Sequence, residues 1–197
     1  MRLIRSFIAV PLPVSLQQQI YRETNSLRNQ LNREIIRWVP SENFHITLKF
    51  LGDISIKKLD MLEEILTKEI SEISPFEIKV ENLGVFPQLS RPSVIWVGVE
   101  KNSNLSTLYE CAQATASQIG SVPEKRRFSA HLTLGRVTRK GDNSKAKSKI
   151  RKTLEESPAY NFGKVLVDSV HIFQSELTPN GAKYHSIFKA KLGDFFE

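Results

Sequence analysis

Two tetrads of one pattern, His45-Ile46-Thr47-Leu48 and His131-Leu132-Thr133-Leu134, constrain the fold of this chain more than any other feature. In an extended strand, successive side chains point to opposite faces. His45 and Thr47 therefore share one face while Ile46 and Leu48 enter a core. The same holds for His131 and Thr133 against Leu132 and Leu134. Each strand presents an imidazole and a hydroxyl side by side, and a glycine follows each tetrad, Gly52 and Gly135.

The rest of the chain supplies partners for two such strands. Alternation predicts strands over 3–10, 35–39, 44–51, 76–86 with a bulge at Gly84, 94–99, 128–137, 161–174 and 184–192. Gly52-Asp53 closes the third of these, and a turn at Pro179-Asn180-Gly181 precedes the last. Helical spacing predicts a helix from Ser15, as its cap, to about Asn32, with Leu16, Ile20, Leu27 and Leu31 in one stripe. Further helices are expected over 55–73 and 105–119, and a shorter one ends near Glu156. Short turns between neighbouring strands favour antiparallel pairing, so the class is α+β rather than doubly wound α/β. No glycine-rich phosphate loop of the Walker or Rossmann kind is present. The 197 residues suit one domain, or two small lobes sharing a core.

An imidazole titrates near neutral pH and can give or take a proton. Two of them across a cleft supply one general acid and one general base. A threonine hydroxyl donates a hydrogen bond to a phosphate oxygen. Two histidines and two threonines thus make a cradle for a tetrahedral phosphoryl group that works by positioning and charge stabilisation, with no metal or other cofactor. Zinc is the competing use of paired histidines. The chain has four histidines, His45, His131, His171 and His185, and no acidic third ligand stands beside either tetrad.

Charge agrees with an anionic ligand. There are 28 Lys and Arg against 21 Asp and Glu, a formal net charge of +7. Such a balance favours RNA, DNA or acidic membrane as partner. The lone cysteine, Cys111, excludes an intrachain disulfide and a cysteine zinc site, and a single free thiol suits a cytoplasmic location. The apolar start is interrupted by Arg5 and Ser6 and stops at Pro11, too short for a signal sequence. No apolar run reaches the length of a membrane span.

These residues resemble the 2H phosphoesterase superfamily, in its LigT-like branch of RNA 2′,3′-cyclic phosphodiesterases. The likeness runs through Arg5 to Pro13, Arg37 to Pro40, Asn43 to Asp53, Gly84 to Pro87, Val94 to Gly98, Phe128 to Arg136 and Ser175 to Pro179. It implies two pseudo-symmetric lobes of antiparallel sheet with outer helices around a central cleft, one tetrad from each lobe, within a single bilobal domain over 1–197. It implies hydrolysis of an RNA-terminal 2′,3′-cyclic phosphate to a 2′-phosphomonoester. His131 is then the base that activates water, His45 the acid that protonates the departing 3′ oxygen, and Thr47 and Thr133 hold the non-bridging oxygens. Partners are RNA ends or small cyclic nucleotides, with no membrane, for a monomer. The alternatives are 2′–5′ RNA ligation or cleavage at the same site, and a nucleotide-binding module without turnover.

The resemblance also points to Arg136 near the phosphate and to Phe50 as an aromatic that stacks on the terminal base. Strict alternation puts both on the face opposite the histidines. A bulge after each tetrad reconciles the two, and one is expected near Gly135. Ser129-Ala130 and Gly135 depart from the family's usual residues at the cleft edge. Arg126, Arg127 and the run Lys145, Lys147, Lys149, Arg151 and Lys152 are candidates for nonspecific phosphate contact or a solvated face. Tyr184 reads as a core or surface residue, with lining of the cleft as its alternative, His171 and His185 as structural, and Trp38 and Trp96 as core anchors.

Overall fold

The computed structural model describes residues 3–178 and 181–194. Nine strands and five α-helices follow in the order β1 (Leu3–Pro11), α1 (Val14–Glu23), α2 (Asn25–Gln30), β2 (Ile36–Trp38), β3 (His45–Ser55), α3 (Ile56–Ile70), β4 (Phe76–Gln88), β5 (Arg91–Val99), α4 (Ser103–Gln118), β6 (His131–Val137), α5 (Ser144–Glu155), β7 (Asn161–Val167), β8 (Ser169–Thr178) and β9 (Gly181–Lys191). All pair antiparallel in one sheet of order β7-β4-β5-β6-β3-β1-β8-β9, with β2 on β6. The architecture is the expected α+β one, with a four-strand half on each side of the β6/β3 junction.

That junction is narrow. β3 and β6 pair at one position, Ile46 opposite Leu132, and diverge on either side of it. On the far side of the molecule only Asp168 separates β7, an outer edge of one half, from β8, inside the other half. A one-residue link between such distant strands requires the sheet to curl until its outer parts meet. The Asp168 carbonyl accepts from Leu192 N at 2.9 Å and helps close that seam.

The apolar alternate residues of the strands lie under the helices in one core. Ile8, Val10, Ile46, Leu48, Ile95, Val97, Leu132 and Leu134 meet Leu62 and Leu66 of α3, Leu105 and Leu108 of α4, and Ile150 of α5. This leaves the other face of the central strands for polar work, as the tetrad pattern requires.

Four expectations need correction. The long helix from Ser15 is two helices broken at Thr24, whose hydroxyl donates to the Ile20 carbonyl at 2.6 Å. That bond competes with regular helix continuation. Ser15 lies inside the first turn and does not cap it; the extended residue before the helix is Pro13. Leu16, Ile20, Leu27 and Leu31 are nevertheless all buried, so the stripe survives the break. The strand expected over 161–174 is β7 and β8, parted at Asp168 within an unbroken alternation. The bulge in β4 falls at Asn82 (φ 59°) rather than Gly84. Gly84 instead makes room for Trp96, whose ring would lie 2.1 Å from a Cβ there. Finally, β3 runs on through Gly52 and Asp53 to Ser55, with Gly52 at φ 72° next to a second register shift in its pairing with β1. Of the expected turn before β9, Pro179 and Asn180 lie outside the described residues.

Candidate active site

The Ile46–Leu132 pair fixes the geometry of the site. In an antiparallel register, one step either way sets His45 opposite Thr133 and Thr47 opposite His131. The arrangement is twofold symmetric about that pair: His45 maps to His131 and Thr47 to Thr133. All four side chains are half-buried, while Ile46 and Leu132 point to the core.

Each imidazole is held in the same way. His45 Nδ1 lies 2.7 Å from the carbonyl of Asn43, and His131 Nδ1 lies 2.7 Å from the carbonyl of Ser129. A carbonyl only accepts, so Nδ1 carries the hydrogen in both rings. Nε2 is then left for chemistry on both sides of the cleft.

The expected bulges are present in both halves, and each falls on the last residue of a tetrad. Ala9 pairs with Thr47 and Ile8 with Lys49, so Leu48 is the extra residue. Trp96 pairs with Thr133 and Ile95 with Gly135, so Leu134 is the extra residue. The shift returns Phe50 and Arg136 to the histidine face, at equivalent places beside Phe7 and Val94. Phe50 is 65% exposed although it is a large aromatic, and its ring centroid is 6.1 Å from that of Phe7. Arg136 is exposed, and its charge reaches both imidazoles.

The two halves differ in what covers them. His45 lies among Phe7 (4.8 Å between centroids), Phe173 (6.0 Å) and Tyr184 (5.3 Å, edge-on). Asn43, whose carbonyl holds His45, also donates its side-chain amide to the carbonyl of Ala182 at 2.8 Å. The end of the β8–β9 hairpin is therefore folded back over the His45 side. His131 has Phe86 edge-on at 4.9 Å and Trp96 at 6.4 Å. Desolvation, reinforced by the charges of His131 and Arg136, pushes the His45 pKa from 6.5 down to about 4. Burial lowers that of His131 as well, with Arg136 adding to it.

Trp96 and His171, read as structural from the sequence, belong to this face, and for Tyr184 the cleft alternative holds. Tyr184 is at His45, and Trp96 is half-buried on the cleft side beside Thr133 rather than in the core. His171 stacks on Phe173 at 5.7 Å, and its Nδ1 is 2.8 Å from Ser186 Oγ. The hairpin fold-back that gathers Tyr184 leaves no local signal in the sequence. Trp38 does serve the core, donating to the Leu31 carbonyl at 3.0 Å. His185 is exposed, with Nε2 3.6 Å from Glu176. Cys111 is half-buried. Arg126 and Arg127 lie exposed in the segment before β6, and the lysine run lies on α5, where Lys147 pairs with Asp142 at 2.5 Å. Among the described residues, no three His, Cys, Asp or Glu side chains cluster as metal ligands, and no helix is long and apolar enough to cross a membrane.

Comparison with known proteins gives the family and the fold. Residues 10–96 match the family described as LigT like Phosphoesterase. The chain is 34% identical over 184 residues to an RNA 2′,3′-cyclic phosphodiesterase of Methanocaldococcus jannaschii, covering 93% of this chain and 98% of that one. It is 32% identical over 205 residues to a protein of the same name from Aquifex aeolicus, covering 98% of this chain and 100% of that one. Among solved structures, E. coli LigT complexed with 3′-AMP superposes with a TM-score of 0.77 at 25% identity, covering 97% of this chain and 99% of that one. TT0787 of Thermus thermophilus has the same fold, with a TM-score of 0.79 at 24% identity and coverage of 97% and 99%.

Proposed function

The chain belongs to the LigT-like phosphoesterases, and we propose that it is an RNA 2′,3′-cyclic phosphodiesterase that opens a terminal cyclic phosphate to a 2′-phosphomonoester by two-histidine acid–base catalysis without a metal. The observation that carries the reading is the twofold register about Ile46 and Leu132. A phosphorus atom centred over that pair has one imidazole on each side and one threonine hydroxyl beside each imidazole. In-line displacement needs this: attack and departure occur on opposite sides of phosphorus.

In the forward reaction His131 Nε2 takes a proton from water as its oxygen bonds to phosphorus. The bond from phosphorus to the 3′ oxygen breaks, and His45 Nε2–H gives its proton to that oxygen. The Nδ1 bonds to Asn43 and Ser129 keep each Nε2 aimed at the phosphate, a precondition for general acid–base work. Thr47 and Thr133 donate to the non-bridging oxygens, and Arg136 offsets their negative charge. An empty His45 is neutral at pH 7, given its pKa of about 4. The phosphate anion seated between the rings opposes that desolvation and raises the proton affinity of the acid. Afterwards His131 holds a proton and His45 lacks one, and exchange with solvent resets the pair.

Phe50, exposed on the histidine face, offers a platform for the terminal base. E. coli LigT, which has this fold, binds 3′-AMP, a nucleotide with one base to stack.

The test is product identity. The protein is incubated with a ribo-oligonucleotide ending in a 2′,3′-cyclic phosphate, in the presence of chelator. The expected product carries a 2′-phosphate. A 3′-phosphate contradicts the assigned roles, because the 2′ oxygen then departed. Loss of turnover with chelator overturns the metal-free mechanism.

A further inference from the structure

β6 has two partners along one side. β3 pairs with it at Leu132 and then leaves; β2 takes over at Gly135, Arg136 and Val137. The short strand β2 thus fills the sheet where the cleft widens. Its central residue, Arg37, lies opposite Arg136. The flanking residues Ile36 and Trp38 crowd the Cβ position of Gly135 on the core side, at 2.5 and 2.9 Å, so Arg37 takes the other face, which is that of Arg136 and the histidines.

Like charges on residues paired directly across a sheet are a destabilising arrangement. Both arginines are exposed. Among the described residues, neither has a carboxylate within ion-pair distance or makes a side-chain hydrogen bond. Some other surface cations find acids, as Lys140 with Glu34, Lys164 with Glu77 and Arg151 with Glu155, but what sets Arg37 apart is its place opposite Arg136 on the histidine face. The twofold-related end of the cleft carries Phe50 where this end carries Arg136. One end offers an aromatic face and the other a pair of forked cations.

We propose that Arg37, standing beside Arg136 at the scissile phosphate, forms a second anion subsite that grips the phosphodiester on the 5′ side of the terminal nucleotide. The proposal rests on the function assigned above. An RNA end with a 2′,3′-cyclic phosphate carries its remaining phosphates only on the 5′ side, so a second anion site in the same cleft meets one of those. The planar fork of arginine suits bidentate contact with a phosphodiester. An anion bound at Arg37 also relieves its repulsion with Arg136. The subsite makes the protein select RNA ends over free cyclic nucleotides.

The experiment compares two substrates: a nucleoside 2′,3′-cyclic phosphate without a 5′ group, and a dinucleotide with one internal phosphodiester and the same cyclic end. The dinucleotide is expected to have the lower KM at low salt, with the advantage shrinking as salt rises. In Arg37→Ala the ratio of the two KM values falls roughly fivefold, the scale of an exposed ion pair. Arg37→Lys keeps the charge without the fork and restores part of it. A preference that Arg37→Ala leaves within about twofold overturns the subsite while the phosphodiesterase reading stands. Failure of the unsubstituted protein to turn over either substrate overturns the reading itself, and the subsite with it.

Discussion

Asn43 holds His45 by its carbonyl and holds the β8–β9 hairpin, at Ala182, by its side chain. Its counterpart Ser129 holds His131 by its carbonyl and makes no side-chain hydrogen bond among the described residues. The symmetry of the two histidines therefore ends at the residue two places before each.

Asn43→Ala removes one neutral hydrogen bond, worth about 0.5–1.5 kcal/mol. The expected result is a kcat lower by roughly threefold to tenfold, with a smaller change in KM. Ser129→Ala is expected to leave kcat within about twofold. Steady-state kinetics on one cyclic-phosphate substrate checks both. Equal effects at the two positions would show that the hairpin tie does not reach His45.

His45→Ala and His131→Ala should each lower the rate about 10²–10⁴-fold, the usual worth of an acid or base. Thr47→Val and Thr133→Val each delete a donor to a charged oxygen and should cost roughly tenfold to a hundredfold. The twofold register makes the two threonine losses similar in size. Single-turnover rates under saturating substrate measure all four; a threonine variant with full activity would remove that hydroxyl from the cradle.

Stability should fall with acid in a window set by His45. Its folded pKa of about 4 lies below the ordinary 6.5. Between these values the unfolded chain binds a proton that the folded chain rejects. The stability contributed by neutral His45 is full above about pH 6.5 and is lost progressively down to about pH 4. From pH 7 to pH 5 that amounts to about 2 kcal/mol at most. Urea unfolding should show a smaller loss over this interval for His45→Gln than for the unsubstituted protein. Parallel losses in the two proteins would refute the shift.

Gly135→Ala places a methyl against Ile36 at 2.5 Å and Trp38 at 2.9 Å, both on the core side of β2. Overpacking of this kind costs about 1–3 kcal/mol. The unfolding midpoint should drop, and because β2 carries Arg37, the KM advantage of the dinucleotide should shrink as well. A midpoint equal to that of the unsubstituted protein would mean that β2 yields without cost.

The tetrads were readable because strand alternation is a short-range property: residues 45–48 and 131–134 state their own faces. The bulges were readable only by contradiction, since Phe50 and Arg136 fell on the wrong face until Leu48 and Leu134 each absorbed a residue. What escaped was set by distant partners. Asp168 interrupts no pattern, because both sides of it are good strand and only the sheet order separates them. Tyr184 reaches His45 through a fold-back fixed by Asn43, far earlier in the chain. Thr24 breaks a helix whose apolar stripe continues past the break, so periodicity alone runs straight through it.

The Asp168 link has a mechanical consequence. The two halves are fastened along the cleft floor at Ile46 and Leu132, and again behind it by a single residue too short to pay out slack. Two such fastenings leave fewer ways for one half to move against the other than a single junction would.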